Sequence, residues 1–369
     1  MLSITEINSI DEFFELQDNW NRVLEKSKDN NVFLTWEFLS TFWNHFGGGK
    51  KLRILVTEDK NEIIAIAPLR QSRYNFGRLF GYNVIEPLGY RGADYTGLIL
   101  TERLTECFQL LLNYLTEDDD WDFIYLLDLP GTSTIHELLP TESKYTPRIE
   151  LTSGIVCPFI TLPESNDVFM QSLDKNLRKD LERCMRNLEK DYQKVEIKRY
   201  EALGSVEEGM DIFFELHQKR WKSKGTKGAF SSQEARDFSV DVANKFADRG
   251  WLALYFLTVK DEPIAAQYCH EYGQKMYYCL GGFDIEYSKY SVGNLLTVKI
   301  IEDCIKRKLR EYDFLKGNES YKLRWTTQYR TNFGIRFVNN KFTSRLYGRG
   351  MRLSKSIGID RILGKHLNF

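Results

Sequence analysis

Apolar residues recur along the chain with two different periods, and the alternation predicts short helices interleaved with hairpins. Ser9 and Glu12 have capping-box spacing ahead of a helical stripe of Phe13, Leu16, Trp20 and Val23. A second, aromatic-rich helix carries Trp36, Phe38, Leu39, Phe42 and Trp43 and ends at Gly47-Gly48-Gly49. Strand-like runs at 52–57 and 63–69 flank the turn Asp59-Lys60-Asn61, a hairpin signal. Further strands are expected near 79–84 and 95–100, a helix at about 103–116, and an apolar strand at 123–127. Residues 132–150 have little period and mark a domain boundary.

The second half repeats this grammar. A strand is expected at 159–162, one long charged helix from about 166 to 191, and a strand at 195–200. Ser205 and Glu208 form a second capping box, opening a helix through His217 and Trp221. A helix at about 232–248 precedes three strands, 252–259, 264–271 and 276–280, joined by turn chemistry. Ser291 then precedes a helix at about 292–308, followed by a strand at 312–315. The hairpin at 52–69 resembles 254–268, and Asp122-Phe123-Ile124 resembles Asp313-Phe314-Leu315, at offsets of about 190–200 residues. Two matches in the same order point to an internal duplication.

Length agrees with that reading, because 369 residues fit two domains. The expected division is 1–150, 151–345 and a basic amphipathic tail at 346–369, carrying Leu353, Ile357, Ile362, Leu363 and Leu367. The fold class is α/β (α+β), with mixed, mostly antiparallel sheets flanked by helices. A formal charge of −1 argues against a dedicated DNA binder. The six cysteines form no CxxC pair, so no zinc knuckle or dithiol site is expected, and no metal. The N-terminus lacks a signal-like apolar region and no run approaches a membrane span, so a cytoplasmic protein is expected. Gly47-Gly48-Gly49-Lys50 lacks Walker spacing, and HExxH, G-x-S-x-G and Rossmann patterns are absent from the sequence.

The most informative block is Tyr277-Tyr278-Cys279-Leu280-Gly281-Gly282-Phe283-Asp284, then Tyr287, then Ser291-Val292-Gly293-Asn294-Leu295. It reads as a strand, a glycine break, a loop and a helix start. Ser291 is placed to cap that helix, and Gly293 lets its first-turn amides approach a phosphate. Tyr312-Asp313-Phe314-Leu315-Lys316-Gly317 leads into Tyr321-Lys322 and Trp325, and Phe214-Glu215-Leu216-His217 into Arg220-Trp221. Together these resemble the GNAT-like family of CelD-type polysaccharide-associated acetyltransferases, which is related to the Fem aminoacyl-transferases of peptidoglycan synthesis. The resemblance is specific over roughly 155–345. Over 1–130 it rests on Trp36, Trp43 and Gly92-Ala93-Asp94-Tyr95.

The resemblance implies two tandem GNAT-like domains, acyl transfer without a metal, and acetyl-CoA or another acyl-CoA as co-substrate. Tyr-Ser-Val-Gly-Asn stands where such proteins carry an Arg/Gln-x-x-Gly-x-Gly/Ala signature, which leaves the donor open. Ser291, Val292, Gly293, Asn294 and Leu295 are the candidate cofactor contacts. Asp284 or His270 is the candidate base, Asp284 alternatively capping a turn and His270 alternatively a core histidine. Tyr287 or Tyr321 is the candidate acid toward a departing thiolate. His217, Arg220, Trp221, Lys322, Asp94 and Tyr95 are candidates for binding a small-molecule acceptor; Arg220-Trp221 is alternatively a structural stack.

The resulting expectation is an N- or O-acyltransferase acting on a sugar, sugar nucleotide or amino-containing metabolite for cell-surface polysaccharide. An aminoacyl-tRNA-dependent transferase would need the basic residues Lys175, Arg178, Lys179, Arg183 and Arg186, which otherwise form a solvated helix face. A non-catalytic scaffold is the third reading. The tail is expected to pack on the body, with peripheral membrane contact as its alternative.

Overall fold

In the computed structural model, which describes the chain except residues 77–79, 140–147, 193, 203, 224, 227, 342–343 and 345–369, the turn residues organise the sheets. Lys60 and Asn61 have φ 51° and 66°, and Lys260 and Asp261 have φ 51° and 71°. Two successive left-handed residues match the twist of the flanking strands, so each pair closes a tight hairpin. The chain divides into two compact units, Met1–Ile155 with Thr331–Phe369, and Val156–Arg330. The tail expected at 346–369, with its apolar residues, lies outside the described residues.

In the first unit, strands β1 (Ser3–Ile7), β2 (Lys51–Asp59), β3 (Glu62–Phe76) and β4 (Phe80–Pro87) pair antiparallel in that order, with β5 (Ile99–Leu100) on β3. Strand β6 (Phe123–Leu129) pairs parallel with β4. Helices α1 (Ile10–Glu15), α2 (Gln17–Lys26), α3 (Trp36–Phe46), α4 (Leu104–Glu117) and α5 (Thr134–Leu138) complete it. Cys107, Phe108, Leu111 and Leu115 of α4 pack on Leu55, Ala65 and Ile124 of the sheet.

The second unit follows the same plan. Strand β7 (Arg148–Thr161) leads into α6 (Asn166–Ser172), α7 (Lys175–Asp191), β8 (Val195–Arg199), α8 (Val206–Lys222) and α9 (Gln233–Asp248). Strands β9 (Leu252–Val259), β10 (Glu262–Tyr272) and β11 (Lys275–Phe283) form the centre, followed by α10 (Val292–Lys306), β12 (Glu311–Asp313) and α11 (Ser320–Leu323). The order is β8-β9-β10-β11-β12-β7, antiparallel except for the parallel pair β11–β12. Every residue of β9 is buried, as its unbroken apolar run requires of a central strand. Helices α7 and α10 bury Leu177, Leu181, Leu295, Ile300 and Ile301 against one face. The chain then re-enters the first unit as β13 (Tyr329–Val338), which pairs antiparallel with β6.

The parallel between the units extends to backbone detail. Arg103 before α4 and Ser291 before α10 are both left-handed, at φ 46° and 51°, and neither side chain caps its helix. This repetition carries the duplication inferred from the sequence.

Several elements differ from expectation. The helix expected at 166–191 is two, because the first ends at Leu173 in extended conformation and Asp174 accepts the amides of Asn176 and Leu177 to start the next. The first helix likewise breaks at Leu16. The strand at 95–100 shrinks to Ile99–Leu100, and β13 was not anticipated. The capping box of Ser205 and Glu208 forms as expected.

Helix α8 lies directly on β11 because Gly282 has no side chain: a Cβ there would fall 2.3 Å from the His217 amide nitrogen. Gly282→Ala is therefore expected to destabilise the fold by about 1–3 kcal/mol through forced separation of helix and strand. Urea unfolding measures it; an unchanged midpoint would refute this account of the crossing.

Candidate functional site

The site begins where a ladder stops. Strands β11 and β12 pair over three residues each, Lys275–Tyr277 with Glu311–Asp313. Beyond that, β11 continues to Phe283 on β10 alone, while the chain after Asp313 turns away. Asp313 makes the turn. Its Oδ1 accepts the Leu315 amide at 2.8 Å, Leu315 sits at φ 59°, and the Phe314 amide donates to Pro158 O. Asp313 is fully buried and paired to Arg330 at 3.2 Å, which itself lies over the Phe159 ring. Along the freed edge of β11 lies a cavity of about 400 Å³.

One wall is the start of α10. The expected Ser291 cap does not form: the residue is left-handed, and only its carbonyl engages the helix, accepting the amides of Asn294 and Leu295. The amides of Val292 and Gly293 have no hydrogen-bond partner among the described residues. Gln267 of β10 holds this turn in place. Its amide donates to Gly293 O at 3.2 Å and Thr297 Oγ1 at 2.6 Å, while its oxygen accepts the Tyr312 hydroxyl at 3.2 Å. Thr297 in turn donates to Gly293 O. This buried network is saturated, which makes it rigid.

The opposite wall is polar and aromatic. Arg220 of α8 donates to Gly281 O at 3.0 Å and lies over the Phe283 ring. The hydroxyls of Tyr278 and Tyr321 face one another, with Arg220 beside Tyr278. Burial pushes both phenols up, so each remains a proton donor at neutral pH. Among the lining residues Arg220 is the one formal charge, and none is a carboxylate.

The structure brings Arg220, Ser291, Val292, Gly293, Asn294 and Tyr321 together on this cavity. Leu295 is buried in the core behind it. Asp284 caps the turn Ile285–Tyr290, accepting the Glu286 amide and Lys219 Nζ, each at 3.0 Å. Burial opposes its charge, yet those two partners outweigh it and hold the carboxyl below its usual range. Tyr287 packs against Tyr192, its ring 5.6 Å away. Lys322 is buried, donating to Lys316 O and paired with Glu319. Tyr95 is buried against Phe33 in the first unit, where the Asp94 carbonyl accepts Asn332 Nδ2.

The two histidines are sealed in aromatic surroundings. His270 lies edge-on to Phe246 and Tyr268, and burial pushes it down to about 3. His217 sits among Phe213, Trp221 and Phe230 with both ring nitrogens unpartnered among the described residues. Burial, then the Arg220 charge, pushes it down to about 4. Neither reaches the cavity wall.

Sequence reading missed Gln267 and Tyr278 as site residues. Tyr278 stood inside the quoted block, and only its fold-over onto Gly281, where a Cβ would lie 2.6 Å from its hydroxyl, reveals its position. Gln267 is a polar residue within an otherwise buried strand, a signal that was available in the sequence. On α7 the basic residues occupy the face opposite Leu177, Leu181, Cys184 and Leu188, with Arg183 paired to Asp180. Among the described residues no group of three or more His, Cys, Asp or Glu could hold a metal, and no helix is long and apolar enough to cross a membrane.

Residues 175–323 match the model of the acetyltransferase (GNAT) domain family. No curated protein matches the sequence. Solved structures share the fold. FemX superposes with a TM-score of 0.62 at 11% identity, covering 93% of this chain and 99% of that one. A protein of unknown function from Bacteroides thetaiotaomicron gives 0.54 at 12%, covering 92% and 100%. The C-terminal domain of a putative lysylphosphatidylglycerol synthetase from Agrobacterium fabrum gives 0.52 at 10%, covering 94% and 98%. The fold is thus GNAT-like, and the stretch that matches the GNAT-domain model lies within the second unit.

Two outcomes follow from the buried polar groups. Gln267→Leu strips the Tyr312 hydroxyl and Thr297 of their partner and should cost about 1–3 kcal/mol in urea unfolding; a neutral effect would mean the network bears no strain. Both histidines sit below their ordinary value of 6.5, so on acidification the unfolded chain takes up protons that the folded chain refuses. Stability should be whole above about pH 6.5 and fall as the pH drops through about 4 toward 3. His217→Phe should flatten that fall; an identical pH profile would show that His217 is solvated.

Proposed function

We propose that the second unit is an acyl-CoA-dependent N- or O-acyltransferase, with the donor in the cavity beside β11. The observation that carries this is Gly293. Glycine loses more conformational freedom on folding than any other residue, so its place in the first turn of α10 calls for a reason. Nothing within the protein requires it: a Cβ would meet only Phe283, at an ordinary 3.6 Å, and the unusual backbone conformation belongs to Ser291 instead. The space over Gly293 is thus kept for a ligand. With the adjoining amides of Val292 and Gly293 unpartnered, that ligand is anionic at this point, as the diphosphate of coenzyme A is.

Direct transfer fits the remaining groups. The acceptor nitrogen or oxygen bonds to the thioester carbonyl carbon, the C–S bond breaks, and the thiolate takes a proton. Tyr278 and Tyr321, held protonated beside the open strand edge, relay to the thiolate the proton that the acceptor nitrogen or oxygen loses, ending protonated as they began, and their hydroxyls steady the developing oxyanion. Orientation in the cavity supplies much of the acceleration. Within this reading the acceptor is a sugar, sugar nucleotide or amino-containing metabolite destined for the cell surface, acylated in the cytoplasm. An aminoacyl-tRNA donor is disfavoured because, among the described residues, the cavity lining offers no carboxylate to an α-ammonium.

Isothermal titration with acetyl-CoA and free coenzyme A tests the assignment. The wild type should bind both. Gly293→Glu should abolish binding by bulk and charge, and Gly293→Ala should weaken it while raising or preserving the unfolding midpoint. Absence of binding by the wild type, or unchanged binding by Gly293→Glu, would overturn the donor site.

A further inference from the structure

Among the described residues Arg220 is the one charged group on the cavity wall, and its surroundings leave it unfinished. Its guanidinium lies 5.3 Å from the Phe283 centroid and 5.9 Å from that of Trp221, one nitrogen is tied to Gly281 O, and the Tyr278 hydroxyl stands beside it. The group is therefore fixed in orientation. Its Nε is buried and has no hydrogen-bond partner among the described residues. It also makes no ion pair among them, whereas Lys219 beside it on α8 is neutralised by Glu215 and Asp284. A partly desolvated charge without a counter-ion is costly unless something else completes it.

From this we infer that Arg220 is the anion-recognition residue of the cavity, so that the site favours donors with neutral or carboxylate-bearing acyl groups and rejects acyl groups that carry an ammonium. The inference rests on the acyl-CoA reading above and adds the charge class of the group transferred. An acyl carboxylate or a donor phosphate would satisfy the fork of the guanidinium in the same way. An acyl ammonium would meet a fixed like charge, with no carboxylate in the lining to offset it. Trp221, a candidate acceptor contact by sequence, acts here as the stacking surface that orients Arg220.

The test is titration of wild type, Arg220→Met and Arg220→Lys with four probes: free coenzyme A, acetyl-CoA, succinyl-CoA and β-alanyl-CoA. In the wild type, succinyl-CoA should bind at least as tightly as acetyl-CoA, and β-alanyl-CoA about tenfold or more weaker. Arg220→Met should erase the difference between succinyl- and β-alanyl-CoA. Arg220→Lys keeps the charge, loses the fork, and should preserve the order with a smaller spread. Coenzyme A affinity identifies the anion: retained in Arg220→Met, it assigns the acyl carboxylate; reduced alongside the loss of discrimination, it assigns a phosphate as well. Circular dichroism and Arg220→Lys binding control for folding. The inference is overturned if β-alanyl-CoA binds the wild type as tightly as acetyl-CoA, or if Arg220→Met leaves all four affinities unchanged. If none of the four binds the wild type, the acyl-CoA reading itself has failed, and this inference falls with it.

Discussion

The second unit depends on the point at which Asp313 ends a parallel ladder. By taking the Leu315 amide and pairing with Arg330, this buried carboxylate turns the chain away after three paired residues. Had pairing continued, the far edge of β11 would have been consumed by a neighbouring strand. Instead its backbone borders a cavity, and the side chains that matter chemically converge on that opening. A buried charge of this kind contributes little net stability, but it fixes geometry, because every partner must be present at once.

Two further devices make the opening usable. Gln267 ties the first turn of α10 to the sheet and to Tyr312, so the unpartnered amides face a fixed direction. Gly282 lets α8 settle on β11, which carries Arg220 to the rim. The first unit shows what happens without them. Its α4 starts in the same left-handed way, at Arg103, but Glu106 stands in the first turn and pairs with Arg103. The first turn of α10 has no acidic residue. The first turn of α4 thus carries a carboxylate and that of α10 carries none, which is the difference the proposed donor site draws on.

Much of the fold was legible because turns and caps are local. The Lys-led hairpins, the Ser205–Glu208 box and the helix after Ser291 depend on residues within a few positions of one another. What escaped depends on distant partners or on burial. Strand β13 is recognisable only once β6, some two hundred residues earlier, is there to pair with it. Asp284 and His270 attracted attention as residue types able to move protons; their environments, a capped turn and an aromatic core, are tertiary facts. Gly293 stands on the cavity wall, while Ser291 occupies its expected position with a different backbone geometry and no capping bond.

The return of the chain through β13 has a consequence for biosynthesis. The segment Val156–Arg330 is contiguous, whereas the first unit needs residues from 331 onward to complete its sheet. On the ribosome, the half made first must wait with β6 lacking its antiparallel neighbour until the half made second has been synthesised. An unpaired strand edge invites association with other chains. Premature termination near residue 330 would therefore leave the later-synthesised half able to close while the earlier one stays exposed, a vulnerability that runs against the order of translation.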